Sequence, residues 1–412
     1  MQSAELSDIT GLDGLVHVSV LETLRALANK LERKRNPLFS CDVEKQRCYL
    51  ASLEEPHDDI ERSYDQYRCQ MWLKGRPASL VINLASLPLL LGFLLRRGSG
   101  KEEGDGAVGT GKRAVFVGDS SVVDRIPDEL WDTYEDIVVD NKQGIGLLKK
   151  DQAYLLQVWR RYPLSWHFIL KCAIKVRQYR RVLEAWNPDA IIACSEYSFT
   201  SSLLTDYLNR NNVDHINVMH GNKLFFIRDS FFRFNTCYVW DDGFAKLFDR
   251  LRAESSQFAV SLPRGLKFEE TSAKVTADFT YYLGGEDIKQ FDRLIDILGI
   301  LSARGAKVRM RPHPLYTDGR WLEKVPPSIE VENPLEMALE QSVLSSACVM
   351  SLYSTVLIQA YLNGVPVVID NLSDPVRFRK LKQLEFALLD AEHRLLSDVL
   401  AEYDVACGDI AG

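Results

Sequence analysis

Two short stretches of the C-terminal half carry side chains that could hold an anion. In VRMRPHPLYTDGR, residues 308–320, Arg309, Arg311 and His313 alternate along a run that reads as a strand through Val308 and Met310, and prolines bracket the histidine. With a side-chain period of two, the three share one face, and His313 continues that face past the strand end. Further along, ACVMSLYSTVLIQAYLNG places Ser351 at the end of another apolar run and Ser354 and Thr355 at the opening of a helix. Free N–H groups and hydroxyls at a helix start favour bound phosphate. A histidine with such donors can neutralise a leaving phosphate without a divalent ion, and no Asp-x-Asp stands at a strand end, so no metal is expected. Each feature also has an ordinary structural reading: a strand-end histidine beside proline is often a capped core residue, and SLYSTV is a sound helix N-cap.

The elements that must position these groups are legible from residue 113 onward. RAVFVGDSS, DIVVDN, DAIIACSE, VDHINVMHG and NTCYVW read as five strands, with a long amphipathic helix around KCAIKVRQYRRVLEAWNP before the third. A second series starts near residue 278 with DFTYYLGG. It continues through the helix EDIKQFDRLIDILGILSARG, the strand KVRMRPHP, the strand IEVEN, the helix PLEMALEQS, the strand ACVMS, the helix STVLIQAYLNG and the strand VPVVIDN. Strands without polar alternation, spaced by helices, imply parallel sheets covered on both faces. The expected class is α/β with two Rossmann-like domains facing each other across a cleft. Neither series holds a GxGxxG fingerprint or a P-loop, which argues against a dinucleotide enzyme or an NTPase. In open parallel sheets, ligands sit beyond the carboxyl ends of the strands. Gly284, Gly285, His313, Ser351, Ser354 and Thr355 all fall there, and so does Glu196 in CSEYSF, a candidate to orient an acceptor or move a proton.

Composition narrows the partners. The chain has 412 residues, 46% hydrophobic and 26% charged, enough for a sizeable core and about two domains. A formal net charge of -7 and the lack of a basic stripe argue against nucleic acid. Eight cysteines with no CxxC pair, and an N-terminus without a signal-peptide pattern, point to a reducing cytoplasm. LVINLASLPLLLGFLLRR, residues 80–97, is free of charge until Arg96 and Arg97 and is interrupted by Asn83, Ser86 and Pro88. It reads either as a buried helix or strand pair or as a segment lying in a membrane surface. GSGKEEGDGAVGTGK, residues 98–112, reads as a flexible loop.

The "PHP" after a strand, followed by SLYSTVLIQAYLNGVPVV, resembles the donor half of GT-B glycosyltransferases that use CMP- or CDP-activated donors. These include bacterial sialyltransferases and polysialyltransferases, capsule and lipopolysaccharide Kdo transferases, and CDP-glycerol glycerophosphotransferases. The resemblance implies that His313, Ser354 and Thr355 contact the nucleotide phosphate, with Ser351 close by; Arg311, on the face that His313 continues, and Gly284, after the first strand of the second series, are read as further nucleotide-binding residues. NVMHGNKLFF, residues 217–226, is similar to the "HG" segment of the glycerophosphotransferases, where the histidine is the general base; that role falls to His220. Sialyltransferases carry an acidic Asp-Asp-Gly instead, and WDDG at 240–243 makes Asp241 the rival base. Asp241 and Asp242 also read as a helix cap and first turn.

One residue departs from the pattern. Many sugar transferases of this fold hold the donor ribose with a glutamate where this chain has Gln359, which mildly favours a CMP-type donor over UDP or GDP. The resemblance implies an acceptor-side domain over 1–270, a nucleotide-donor domain over 271–390 and a helical tail over 391–412. It also implies a cytoplasmic transferase, possible at the inner-membrane surface, that passes a sugar from a nucleotide-activated donor to a glycan or glycolipid without a cofactor. The alternatives are a CDP-glycerol-type glycerophosphotransferase and a non-catalytic glycan-binding relative.

Overall fold

Apolar runs without polar alternation become strands buried on both faces, and amphipathic stretches beside them become the helices that cover those faces. The computed structural model describes residues 41–95, 111–142, 149–269 and 273–408. The chain divides into two units, the first running to Gly221 and resuming over Phe225–Pro263, the second taking Asn222–Leu224 and the chain from Arg264 onward. Each unit has its own six-stranded sheet in which every neighbouring pair is parallel. The expected α/β class with two parallel sheets is therefore present.

In the first unit the strands are β1 (Arg113–Val117), β2 (Asp136–Val139), β3 (Ala190–Ala193), β4 (Asp214–Val218), β5 (Thr236–Val239) and β6 (Phe258–Val260), in the order β2-β1-β3-β4-β5-β6. Alternate residues serve opposite cores. Val115 and Ile191 join one apolar cluster while Ala114, Phe116, Ala190 and Ile192 join the other, as a period of two demands. The helix Trp166–Trp186 covers one face with Phe168, Cys172, Val176 and Tyr179. It stops at Asn187, which takes a left-handed φ of 41° before Pro188.

The second unit has β7 (Ala277–Tyr282), β8 (Val308–Arg311), β9 (Ile329–Val331), β10 (Ser346–Ser351), β11 (Val367–Ile369) and β12 (Arg394–Leu395), in the order β12-β11-β10-β7-β8-β9. The helix Ile288–Ala303 starts in a capping box between Asp287 and Gln290 and buries Phe291, Leu294, Leu298 and Leu301 on the sheet.

Several local expectations change. β6 and β12 are short edge strands that the apolar pattern did not reveal. The helix expected over PLEMALEQS forms only at Leu339–Leu344, because Asn333 turns the chain first: its side chain accepts the Leu335 amide at 3.0 Å. The C-terminal stretch holds the helix Leu396–Gly408, and it joins the second unit's core, since β12 pairs with β11 and Leu396 and Val399 are fully buried. The helix Arg76–Leu95 is a single continuous helix containing Pro88, and most of its surface is exposed, so the buried reading of residues 80–97 does not hold. Arg96 and Arg97, and the glycine-rich stretch except for residues 111 and 112, lie outside the described residues.

Candidate functional site

In the first unit the strand order reverses between β1 and β3, so loops at the carboxyl end of β3 border the place where open sheets take ligands. β4 lies next to β3, with Ala193 paired to Asn217. Glu196 follows β3 and His220 follows β4, and the sheet therefore brings them side by side: Glu196 Oε1 is 3.4 Å from His220 Nδ1. Glu196 is completely buried, while the His220 side chain remains 18% exposed. The other carboxylate oxygen accepts a hydrogen bond from Asn217 Nδ2 at 3.2 Å, and Asn217 Oδ1 in turn accepts the Ser195 amide at 2.8 Å. Gln66 Nε2 donates to the Glu196 carbonyl at 2.9 Å. Tyr197 sets its ring edge-on to His220 with centroids 5.8 Å apart.

A desolvated carboxylate facing Nδ1 favours the tautomer with the proton on that nitrogen and leaves Nε2 as the proton acceptor. Chemically, such a pair can serve as a base for a hydroxyl, the imidazole taking the proton and the carboxylate orienting the ring. Two residues past His220, Asn222 is 2% exposed and neither its amide oxygen nor its nitrogen has a hydrogen-bond partner. Buried amides are normally satisfied, so Asn222 is a candidate for contact with a bound ligand.

Asp241, the rival base, does the work of a helix cap. Its carboxylate accepts the Gly243 amide at 2.7 Å at the start of the helix Asp242–Arg250, and Asp242 is exposed in the first turn. No hydrogen bond or ion pair links Asp241 to His220 among the described residues.

In the second unit the order reverses between β7 and β10, and the loops after those strands lie against each other: a Cβ on Gly284 would sit 3.6 Å from the Tyr353 carbonyl. The Gly284 amide is already engaged, since both oxygens of Glu286 accept it at 2.9 and 2.8 Å. Burial raises the Glu286 pKa. An anion at this amide would have to displace that carboxylate. Ser354 caps the helix Thr355–Leu362 by accepting the Val356 amide at 3.2 Å, Thr355 is exposed at the first position, and Gln359 is partly exposed one turn on.

His313 follows β8. Its Nδ1 accepts the Leu315 amide at 3.1 Å, its own amide donates to Thr317 Oγ1 at 2.8 Å, and the Tyr316 ring lies over it at 4.4 Å. Burial pushes its pKa down. The ring is therefore a neutral donor whose proton is on Nε2, suited to one hydrogen bond to a phosphate oxygen. β8 and β10 flank β7, so the strands that lead to His313 and Ser354 are two strand spacings apart, about 10 Å. No hydrogen bond joins His313 to Ser354 or Thr355 among the described residues.

Two expected phosphate ligands are committed elsewhere. Arg311 is buried and forms an ion pair with Glu332, and its Nη2 donates to the Met337 carbonyl at 2.9 Å. Arg309 beside it reaches Ser345 and Thr276 at 2.9 and 2.8 Å. A guanidinium under a sheet needs a counter-ion, and Glu332 at the end of β9 supplies it. Ser351 is fully buried and donates to the Tyr282 carbonyl at 2.9 Å, fastening β10 to β7.

The sequence reading missed Asn217, Asn222 and Glu286. Asn217 carried a signal, a polar residue inside the apolar run INVM; the other two followed glycine with nothing local to mark them. Among the described residues no group of three His, Cys, Asp or Glu side chains is placed to hold a metal.

No family model matches the chain, and no curated protein matches it. Among solved structures it is similar to Methanocaldococcus jannaschii UDP-GlcNAc 2-epimerase in complex with UDP-GlcNAc and UDP, at 11% identity and TM-score 0.41, over 71% of this chain and 92% of that one. It is also similar to the lipopolysaccharide outer core galactosyltransferase WaaB, at 11% identity and TM-score 0.39, over 71% and 94%. A third is CalG4, the calicheamicin glycosyltransferase, at 12% identity and TM-score 0.40, over 70% and 86%. At such distances the functional reading rests on the side chains of this chain.

Proposed function

We propose that the chain is a glycosyltransferase that moves a sugar from a nucleotide-activated donor, CMP-linked and of sialic acid or Kdo type, to a hydroxyl of a bacterial surface glycan in the cytoplasm. The observation that carries this reading is the buried Glu196 set 3.4 Å from Nδ1 of the partly exposed His220. A buried carboxylate behind an accessible imidazole is an arrangement that activates a hydroxyl. The acceptor oxygen loses its proton to His220 Nε2 and bonds to the anomeric carbon, while the bond from that carbon to the nucleotide phosphate breaks and the nucleotide leaves. In the second unit, the neutral His313 and the Ser354 and Thr355 helix start are the groups proposed to meet that phosphate. Gln359 in place of a charged ribose ligand favours CMP over UDP or GDP.

The test is a thermal-shift screen against CMP, CDP, UDP and GDP, followed by donor turnover with whichever nucleotide stabilises the fold. UDP belongs in the screen because one similar structure holds it. Stabilisation by CMP alone supports the donor assignment; a shift with UDP alone replaces it with a UDP-sugar. The segment HGNK after β4 favours a second reading, in which a hydroxyl attacks phosphorus of CDP-glycerol. Both donors release CMP, so the acceptor product separates them: it gains phosphorus only in the second case.

A further inference from the structure

The helix Arg76–Leu95 is amphipathic in the wrong sense for a helix in water. Two polar side chains beyond its first turns face the protein and are bonded there: Asn83 Nδ2 donates to the Leu164 carbonyl at 2.8 Å and its Oδ1 accepts the His167 amide at 3.1 Å, while Ser86 Oγ lies 2.9 Å from His167 Nδ1. Leu90 is fully buried on the same side. The rest of the helix surface presents Leu80, Val81, Leu84, Leu89 and Leu91, exposed by 60, 65, 52, 38 and 48%, and Leu94 near its C-terminal end is 44% exposed. Leu164, held next to Asn83, adds another side chain that is 74% exposed. Contiguous apolar surface of this extent is rare in a soluble monomer and marks a contact site.

By length and composition Arg76–Leu94 could cross a membrane. It does not stand free to do so, because the inner face is packed and hydrogen-bonded onto the helix Trp166–Trp186. A helix with one dry, uncharged face and the other on a folded unit can lie in the bilayer surface.

The surrounding charge selects the occupant. From Gln66 to Leu95 there is no acidic residue, and the same holds from Pro163 to Leu183. In a chain of net charge -7, these two stretches carry only Arg68, Lys74, Arg76, Lys171, Lys175, Arg177, Arg180 and Arg181. Arg68, Arg180 and Arg181 pair with Asp65, Asp151 and Asp140. Lys171 and Lys74 border the helix: after burial, their charges push His167 down to about 4. Arg177 sits over the Phe93 ring at 5.2 Å. A symmetric contact between two copies would set these cations against each other, whereas anionic headgroups complement them. An apolar pocket of about 370 Å³ lined by Leu94, Leu155, Trp159 and Ile169 continues the face at its far end, a place for an acyl chain.

We propose that the outward face of the helix Arg76–Leu95 docks the protein on an anionic lipid bilayer, with its leucines in the interface and Lys74 and Arg76 at the headgroups. The proposal stands whether or not the chain is a transferase. The experiment is vesicle flotation of the full chain with phosphatidylcholine alone and with phosphatidylcholine containing phosphatidylglycerol. The wild type should float with the anionic vesicles. The triple variant Leu80→Ser, Leu84→Ser, Leu91→Ser should lose binding by about tenfold or more, since apolar area drives insertion, with its melting temperature unchanged or raised. Lys74→Glu with Arg76→Glu should lose the preference for the anionic vesicles. A wild type that stays unbound with both vesicles overturns the proposal. A wild-type dimer that the triple variant makes monomeric, without vesicle binding in either, overturns it in favour of self-association.

Discussion

Glu196 and His220 lie at the ends of neighbouring parallel strands, β3 and β4, with Oε1 of the buried carboxylate 3.4 Å from Nδ1 of the accessible ring. Twenty-four positions of chain separate them, and one strand spacing brings them together. If this pair activates a hydroxyl, His220→Ala should lower kcat by about a hundredfold or more, the usual scale for general base catalysis. Glu196→Gln should also lower kcat while the donor KM stays at the wild-type value, because the residue acts through the imidazole. A steady-state split in which KM rises and kcat holds would remove the assignment.

Asp241 should prove to be a cap. Asp241→Asn keeps an acceptor for the Gly243 amide and should leave turnover within about threefold, whereas Asp241→Ala should cost about 1 kcal/mol of stability. Loss of turnover in the Asn variant, with its melting temperature intact, would move the base to Asp241.

The two halves of the Arg-x-Pro-His segment should behave differently. Arg311→Ala leaves Glu332 with Arg309, 3.5 Å away, and should destabilise the fold by about 1.5–3 kcal/mol through loss of the charged hydrogen bond, with Arg311→Met plus Glu332→Leu recovering part of it. His313→Ala should leave the melting temperature unchanged and weaken nucleotide binding, as should Ser354→Ala with Thr355→Val. Isothermal titration with the stabilising nucleotide reads both; full affinity in the His313 variant would end its role at the phosphate.

Acid should destabilise the first unit through two histidines held neutral. His215 is fully buried between Thr205 Oγ1 at 2.8 Å and Tyr179 Oη at 3.1 Å, and burial lowers its pKa to about 3. Burial, with Lys171 and Lys74, lowers that of His167 to about 4. In the unfolded chain both titrate near 6.5. Below that pH the unfolded state binds protons that the folded state refuses, so stability falls as pH drops from about 6.5 towards 4, by up to about 1.4 kcal/mol per pH unit for each group. Urea midpoints at pH 7.5 and 5.0 should show the loss, and His215→Gln should flatten it; equal slopes in wild type and variant would assign the loss to other groups.

The residues alone determined the strands and the order of the two series, because runs such as AIIA and VFV have no polar alternation and can only be buried on both sides. They also marked the strand ends where His220, Glu196, His313 and Ser354 stand. Local sequence could not say which of these meet. Pairing of β3 with β4 decided that Glu196 backs His220 and that Asp241 does not, since strand order is a property of the whole sheet. Pairing of β8 with β9 decided that Arg311 meets Glu332 and is closed to ligand, although its spacing from His313 suggested a shared face. The same holds for residues 80–97, whose composition suits a core as well as a surface. Only the packing of Asn83, Ser86 and Leu90 against the helix Trp166–Trp186 turned the leucines outward. Periodicity along a chain is set by covalent geometry, whereas the partner of a charge or of an apolar face is set by residues far away in sequence.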